Sequence, residues 1–495
     1  MELFEHSASE LLEMLRAGTC SSEEITRSIF RRISELEPSL NAYISLSEES
    51  ALETARQVDR NRAIQIDESP LAGIPIAIKD NICTKGIKTT CASRMLQNFI
   101  PPYHATVMER ITNAELPVIG KLNMDEFAMG SSTETSFFAQ TRNPHDLNRV
   151  PGGSSGGAAA AIASGEAIFA LGSDTGGSIR QPAAYCGIVG LKPTYGTVSR
   201  YGLIAFASSL DQIGPMARTV SDCALLYQLI CGKDPRDATS LSSNFHWNLP
   251  SLPSVKNLRI GIPSQFFGDG VEKEVCAAVL RGAEYYQSQG AELTEVSLPS
   301  VHHALSAYYI ISSAEASSNL SRYDGVKYGY RADNPADLQD LYCRSRSEGF
   351  GQEVQRRIIL GTFALSSGYY EAYYRRAQAL RRKLRQEFDE AFQRCDMLLT
   401  PTAPDVAFPL GERRNDPLKM YAGDICTIPA SMAGLPALSI PCGYSTEGLP
   451  IGMQLIGPTF SERLLLETAY FYEQTSGLKE IRPVFRSCGG KEGTK

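Results

Sequence analysis

The sequence predicts an α/β fold, a central mixed β-sheet covered by helices. Three observations predict it. Short apolar runs bounded by Gly and Pro alternate with longer stretches of helical periodicity along the 495 residues. Hydrophobic residues make up 43% and charged residues 21%, ordinary values for a globular chain and too apolar for a disordered one. The 41 Gly and 27 Pro are scattered without a period, and no repeat or low-complexity linker divides the chain. One large unit is expected over residues 1–485. A helical cover is expected over about 1–65, and a Gly/Lys-rich, frayed tail at 486–495.

The elements follow in order. Residues 21–24 (SSEE) fit a capping box, Ser followed by Glu three later. Ile25, Ile29, Ile33 and Leu36 then recur at helical spacing, and Pro38 marks the expected end. A second, polar helix spans about 48–61. Residues 71–79 read as a buried strand closed by Lys79 and Asp80, and 117–121 as another. Residues 151–192 (PGGSSGGAAAAIASGEAIFALGSDTGGSIRQPAAYCGIVGLK) read as a loop, a helix over 158–164, a strand over 167–172 and a second loop at 173–178. The helix has almost no side chains, so another backbone must approach it closely. Further strands are expected at 258–262, 291–298, 396–402, 437–442 and 451–456. A helix is expected over 271–288, with Val275, Val279, Leu280 and Ala283 on one side. Two more share 353–393, broken near Gly368.

Composition removes several functions. The 48 Lys and Arg against 55 Asp and Glu leave a net charge of −7, which argues against a broadly basic nucleic-acid surface. No apolar run approaches the ~20 residues of a membrane-spanning helix. The start, MELFEH, lacks a basic, then apolar, leader, so the expected compartment is the cytoplasm. Twelve Cys without a Cys-x-x-Cys pair read as buried small hydrophobes. Six His without a ligand-like spacing predict no metal site. No Gly-x-x-x-x-Gly-Lys-Ser/Thr is present, so ATP binding through a P-loop is not expected.

The chemistry-bearing residues cluster. Two glycine-rich loops carrying Ser154 and Ser178 lie 24 residues apart in sequence. Such loops can point successive N–H groups at a phosphate or at the oxyanion of acyl transfer. Asp174 beside the second loop disfavours phosphate. They can also be ordinary turns around a close-packed helix. A serine nucleophile needs a base. His104, His145 and the His302–His303 pair sit in unpromising sequence. Lys79 is either an edge residue reaching to solvent or a buried amine whose pKa desolvation lowers toward neutrality.

On these residues the chain resembles the amidase signature family, whose members hydrolyse carboxamides with a Ser–Ser–Lys triad. The resemblance implies an amidase signature fold. It also implies that Lys79 is the base, that Ser154, following a cis peptide, is the bridge, and that Ser178 is the nucleophile. The N–H groups of Thr175, Gly176, Gly177 and Ser178 would hold the oxyanion. Residues 121–130 (KLNMDEFAMG), 199–211 (SRYGLIAFASSLD), 356–362 (RRIILGT), 425–429 (ICTIP) and 452–457 (GMQLIG) are most similar to one branch of that family. Its members are the glutaminase subunits of tRNA-dependent amidotransferases. This branch implies that Arg357 meets the carboxylate of glutamine and Asp424 its ammonium, with Tyr309 lining the pocket. By sequence alone Arg357 would read as a solvated helix charge. Asp125 and Glu126 read as structural or channel-lining. The resemblance further implies a heterotrimer with B and C subunits. This chain would bind no cofactor, and ATP, Mg²⁺ and most tRNA contacts would belong to the partner. A stand-alone amidase for small or fatty amides would share the triad without needing Arg357 and Asp424. A non-catalytic scaffold would not need Lys79, Ser154 and Ser178.

Overall fold

The computed structural model describes residues 2–66, 69–248, 251–268, 270–478 and 483; the expected tail at 486–495 lies outside the described residues. Eleven strands among them form one mixed sheet. They are β1 (Tyr43–Leu46), β2 (Ile76–Lys79), β3 (Val118–Leu122), β4 (Phe169–Asp174), β5 (Val189–Lys192), β6 (Gln212–Ala217), β7 (Arg259–Pro263), β8 (Glu292–Val296), β9 (Met397–Pro401), β10 (Ala437–Tyr444) and β11 (Pro450–Ile456). Their order is β1-β3-β2-β4-β6-β5-β10-β11-β9-β7-β8. The parallel pairs are β3–β2, β2–β4, β9–β7 and β7–β8; the rest are antiparallel. The expected α/β class with a mixed sheet is the observed one.

The pair that positions the site is β2 and β4. Ile76, Ala77 and Ile78 stand opposite Phe169, Ala170 and Leu171. Every residue of both strands is buried, as strands flanked on both faces must be. Because the two run parallel, the loops that leave their C-terminal ends emerge on the same edge of the sheet. Lys79 closes one strand and residues 175–178 follow the other.

Two helical details depart from expectation. Ser21 and Glu24 form the capping box, but the helix Ser22–Leu40 runs through Pro38. Its end is set instead by Asn41, in the left-handed conformation at φ 54°. The Glu37 carboxylate fixes the exit by accepting from the N–H groups of Ala42 and Tyr43 at 2.9 and 2.8 Å. In Lys273–Ser288 the buried stripe is Val275, Val279 and Ala283, one every four residues; Leu280, about 100° around the helix from Val279, faces outward at 38% exposure. The cysteines are also less uniform than expected. Cys343 is exposed, and Cys20, Cys231 and Cys276 are partly so.

The helix Gly156–Ser164 is wholly buried apart from Ala163. A Cβ on Gly157 would lie 2.5 Å from the carbonyl oxygens of both Ala42 and Asn123. This is the close backbone approach its sequence predicts. No helix among the described residues is long and apolar enough to cross a membrane.

Candidate active site

Lys79 is fully buried. Its Nζ donates to Ser154 Oγ at 2.7 Å, Ser155 Oγ at 2.8 Å and the Ser173 carbonyl at 3.2 Å. Burial lowers its pKa to about 7, against the opposing pull of Asp125, Asp174 and Asp211. Lys121 and Lys192 are buried as completely, yet their surroundings differ. Lys121 donates to the Ile82 carbonyl and two threonines beside Asp80, and Lys192 to the Pro193 carbonyl. Lys79 alone of the three meets the serine hydroxyls of a glycine-rich loop, and that loop is tied to the loop of Ser178.

The first glycine loop brings Ser154 to the lysine. The Gly153–Ser154 peptide is cis. A Cβ on Gly153 would lie 2.1 Å from Asp125 Oδ2, so the loop seats directly on that carboxylate. Asp125 also accepts from the N–H groups of Ser132 and Thr133 and from the Thr135 hydroxyl. Asp125 thus builds the wall behind the serine. Gln181 Oε1 accepts from the Gly153 N–H at 2.9 Å.

The second loop carries Ser178, 7% exposed where Lys79 and Ser154 are fully covered. None of the four N–H groups of Thr175, Gly176, Gly177 and Ser178 donates to an acceptor among the described residues. Four consecutive unspent donors at a covered site are a cradle for developing negative charge. The hydroxyls of Ser154 and Ser178 are not hydrogen-bonded to each other, although the two loops are tied by Ser155 N–H to the Ser178 carbonyl at 3.0 Å. Contacts of this kind commonly tighten only when substrate is bound.

What holds the second loop open is an ion pair that the sequence does not reveal. Asp174 and Arg180, both fully buried, meet through Oδ2–Nε and Oδ1–Nη2 at 2.9 Å each. Burial pushes the Asp174 carboxyl up, but Arg180 outweighs it and holds the group below the usual carboxylate range. Asp174 therefore neutralises Arg180 and does not repel an anion on the loop's other face. Arg180 also donates to the Thr427 carbonyl at 2.9 Å and Gln454 Oε1 at 2.6 Å. Thr175 donates its hydroxyl to Asp211 at 2.7 Å. Breaking a buried pair by removing one partner costs about 3–5 kcal/mol. Arg180→Met is expected to lose that much stability, read as a fall in the urea midpoint. The double variant Asp174→Asn/Arg180→Met should lose less than Arg180→Met alone. Equal losses would show that the guanidinium's other contacts matter more.

The wall facing the loop is aromatic and charged. A Cβ on Gly176 would lie 2.7 Å from the Tyr308 ring, and one on Gly177 2.1 Å from Thr427 Oγ1. Next to them Tyr309 donates to Asp424 Oδ2 at 3.4 Å. Arg357 is 2% exposed, which corrects its reading as a solvated charge. Its guanidinium lies 4.4 Å from the Tyr309 ring centre and 4.8 Å from that of Tyr421, and the two rings stack at 4.0 Å. Glu353, one turn earlier, accepts from Arg357 Nε at 2.7 Å and from the Tyr421 hydroxyl at 2.8 Å. Burial pushes the Asp424 carboxyl up to about 8. A cavity of about 250 Å³ opens beside Tyr421, Glu353 and Arg356 and is bordered by Glu126 and Arg413. Glu126 accepts from the Ser93 hydroxyl at 2.5 Å and the Gly351 N–H at 2.8 Å. It thereby ties its loop to the start of the helix carrying Arg357.

The expected residues thus fall into two adjoining groups, Lys79 with Ser154 and Ser178, and Tyr309 with Arg357 and Asp424. Sequence reasoning missed Ser155, Arg180, Tyr308, Glu353, Tyr421 and Thr427. Glu353 stands at i−4 to Arg357, a helical pairing that the sequence did offer.

Comparison with known proteins agrees with this geometry. The Amidase family model matches residues 24–466. The A component of the glutamyl-tRNA(Gln) amidotransferase of Moorella thermoacetica is 56% identical over 484 residues, 98% of this chain and 99% of that protein. The crystal structure of the component of the same name from Thermotoga maritima superposes with a TM-score of 0.81 at 40% identity, covering 98% of both chains. The native peptide amidase of Stenotrophomonas maltophilia gives 0.80 at 31% identity, over 97% of this chain and 99% of that one. A match across most of the length, on a sheet whose parallel core strands carry the lysine and the glycine-bedded serines, leaves one conclusion: the chain belongs to the amidase signature family.

Proposed function

We propose that this chain is the glutamine-hydrolysing subunit of a tRNA-dependent amidotransferase, one catalytic unit over residues 1–485. Neutral Lys79 accepts a proton from Ser154, which accepts one from Ser178. Ser178 Oγ bonds to the carboxamide carbon, and the oxygen of the broken C=O double bond takes the negative charge. The N–H groups of residues 175–178 hold that oxyanion. As it collapses the C–N bond breaks, and Lys79, through Ser154, returns the proton that lets ammonia leave. Water then attacks the acyl-enzyme by the same relay and releases glutamate. The ammonia passes to a B subunit, held with a C subunit in a heterotrimer. That partner uses ATP with Mg²⁺ to convert Glu-tRNA(Gln) to Gln-tRNA(Gln) and makes most of the tRNA contacts, a reaction of the cytoplasm.

The observation that carries the reading is the placing of Arg357 on the ring face of Tyr309 and of Asp424 at its hydroxyl, on the wall whose Tyr308 and Thr427 meet the loop of Ser178. A guanidinium and a carboxyl group presented by one wall suit the carboxylate and ammonium of a free amino acid; a simple amide needs neither. The names of the relatives support the same choice.

Removing Asp424 leaves the substrate ammonium buried and unpaired, at a cost of about 2–5 kcal/mol. Asp424→Ala should therefore weaken glutamine use far more than hydrolysis of an amide lacking the α-ammonium. Equal losses on both would assign Asp424 to the fold and favour a stand-alone amidase. The high pKa of Asp424 adds a sign. Below about 8 the empty pocket holds a proton that the incoming ammonium must displace. KM for glutamine should fall as pH rises toward 8, and this dependence should vanish in Asp424→Asn.

A further inference from the structure

Arg357 is buried, and its guanidinium is only partly spent. Its Nε donates to Glu353 Oε1 at 2.7 Å. Among the described residues Glu353 is the one carboxylate that pairs with it, and its Nη groups meet no carboxylate or carbonyl oxygen. Nη groups left over at a covered site form the edge of the fork that recognises a carboxylate in two parallel hydrogen bonds. Such a fork selects by geometry, so it works only while its plane is held. Nε is the atom through which the plane can be held without using that edge.

The same Glu353 oxygen accepts a second hydrogen bond, from the Tyr421 hydroxyl at 2.8 Å. Glu353 lies in the first turn of the helix Gln352–Leu365, four residues before Arg357. Tyr421 lies in the short helix Pro417–Ala422, three residues before Asp424. One carboxylate oxygen therefore joins the segment of Arg357 to the segment of Asp424. An ordinary helical pair four residues apart would reach no second element. The other Glu353 oxygen is taken by Arg356, and the Glu353 side chain is 14% exposed at the edge of the cavity beside Tyr421. Charge points the same way. Asp424 is protonated below about 8, so in the empty pocket Glu353 is the carboxylate that offsets the buried guanidinium.

We propose that Glu353 is a positioning residue that sets specificity for a free amino acid. It holds the guanidinium of Arg357 by Nε, so that the Nη edge is kept for the α-carboxylate of glutamine. Through Tyr421 it fixes that edge relative to Asp424, which meets the α-ammonium. Glu353 itself touches no reacting atom and acts only through Arg357 and Tyr421. The inference rests on the glutamine reading of the pocket.

The test follows ammonia release by the full chain, assembled with its B and C subunits, from three amides. They are glutamine, glutaric acid monoamide, which lacks the α-ammonium, and γ-aminobutyramide, which lacks the α-carboxylate. Glu353→Ala should raise KM for the two carboxylate-bearing amides about tenfold or more and move kcat little. Use of γ-aminobutyramide should change far less. Glu353→Gln keeps an acceptor for Nε and for the Tyr421 hydroxyl, and should recover most of the lost affinity. Arg357→Met should show the same selectivity as Glu353→Ala, and combining the two should add little, since one acts through the other. Should Glu353→Ala not fold, Tyr421→Phe carries the test. It removes only the bond between the two segments and should raise glutamine KM about threefold. Equal losses on all three amides, a fall in kcat in place of a rise in KM, or additive losses in the double variant would overturn the positioning role. With Arg357→Met selective and both Glu353→Ala and Tyr421→Phe native-like, that role alone would fall and the glutamine reading would stand. An Arg357→Met chain that uses the three amides in the native ratio would overturn the glutamine reading, and this inference with it.

Discussion

Replacing Ser178 with Ala should abolish glutamine hydrolysis to within a small residue, a fall on the order of 10⁴–10⁶-fold, because members of a catalytic relay act as one unit. The substitution removes a single oxygen from a side chain that makes no hydrogen bond among the described residues, at a position 7% exposed, so the fold should be indifferent to it. The assembled complex carrying Ser178→Ala should still form Gln-tRNA(Gln) when supplied with ammonium chloride, and not when supplied with glutamine. Comparing Gln-tRNA yield with the two nitrogen donors checks both halves. Activity with glutamine would mean that another group attacks the amide. Failure with both donors, in a complex shown to be assembled, would mean that this chain does more than supply ammonia.

The second large effect concerns Lys79. Its three acceptors are two serine hydroxyls and a carbonyl, and its pKa near 7 comes from the removal of water from around the amine. Such a group is charged below about 7 and a base above it. Glutaminase activity should rise with pH through about 7 and then level, without a step near the free-lysine value of ~10.4. Lys79→Arg keeps the charge and forbids the base, since guanidinium does not lose its proton at working pH. A loss on the order of 10²–10⁴-fold is expected, the range of general-base contributions. The larger side chain must fit a fully buried site, so Lys79→Met serves as a control of reduced bulk. Lys79→Met should be as inactive as Lys79→Arg while melting closer to the native chain. Retained activity in either would remove Lys79 from the relay.

How much of this was legible before any coordinates follows the range of the interactions involved. The strand ending in Lys79, the two glycine loops and the side-chain-poor helix between them are local signals, found close to where periodicity and composition put them: the strand begins at Ile76 and not at 71, the helix at Gly156 and not at 158, and Ser173 and Asp174 close β4 and do not open the second loop. Arg357 read alone as a surface charge because its burial is imposed by Tyr309 and Tyr421, 48 and 64 residues away in opposite directions. Arg180 was silent for the same reason. It lies among small residues, and its role depends on Thr427, Ser431 and Gln454, each about 250 residues downstream. Pro38 misled because a helix end was inferred from the residue that disfavours continuation. The end observed is made by the residue that can turn left-handed, Asn41, with Glu37 supplying the acceptors.

The side-by-side, parallel pairing of β2 and β4 has a consequence for how such a protein can diversify. Where Lys79 stands relative to the loop of Ser178 is dictated by main-chain hydrogen bonds, which fix neighbouring strands about 4.8 Å apart and permit displacement only in whole register steps. A sheet of this kind has no fine adjustment: reactive groups mounted on it keep their geometry or lose it altogether. The opposing wall is mounted differently, on the helices bearing Tyr308, Tyr309 and Arg357 and on the turn bearing Asp424. These are side chains on replaceable supports, free to change identity without disturbing a ladder. Inheritance can therefore hold the chemistry constant while exchanging what is recognised. A designer wanting a new amide specificity would graft residues from 304–319, 352–365 and 420–428, and leave 76–79 and 169–178 untouched.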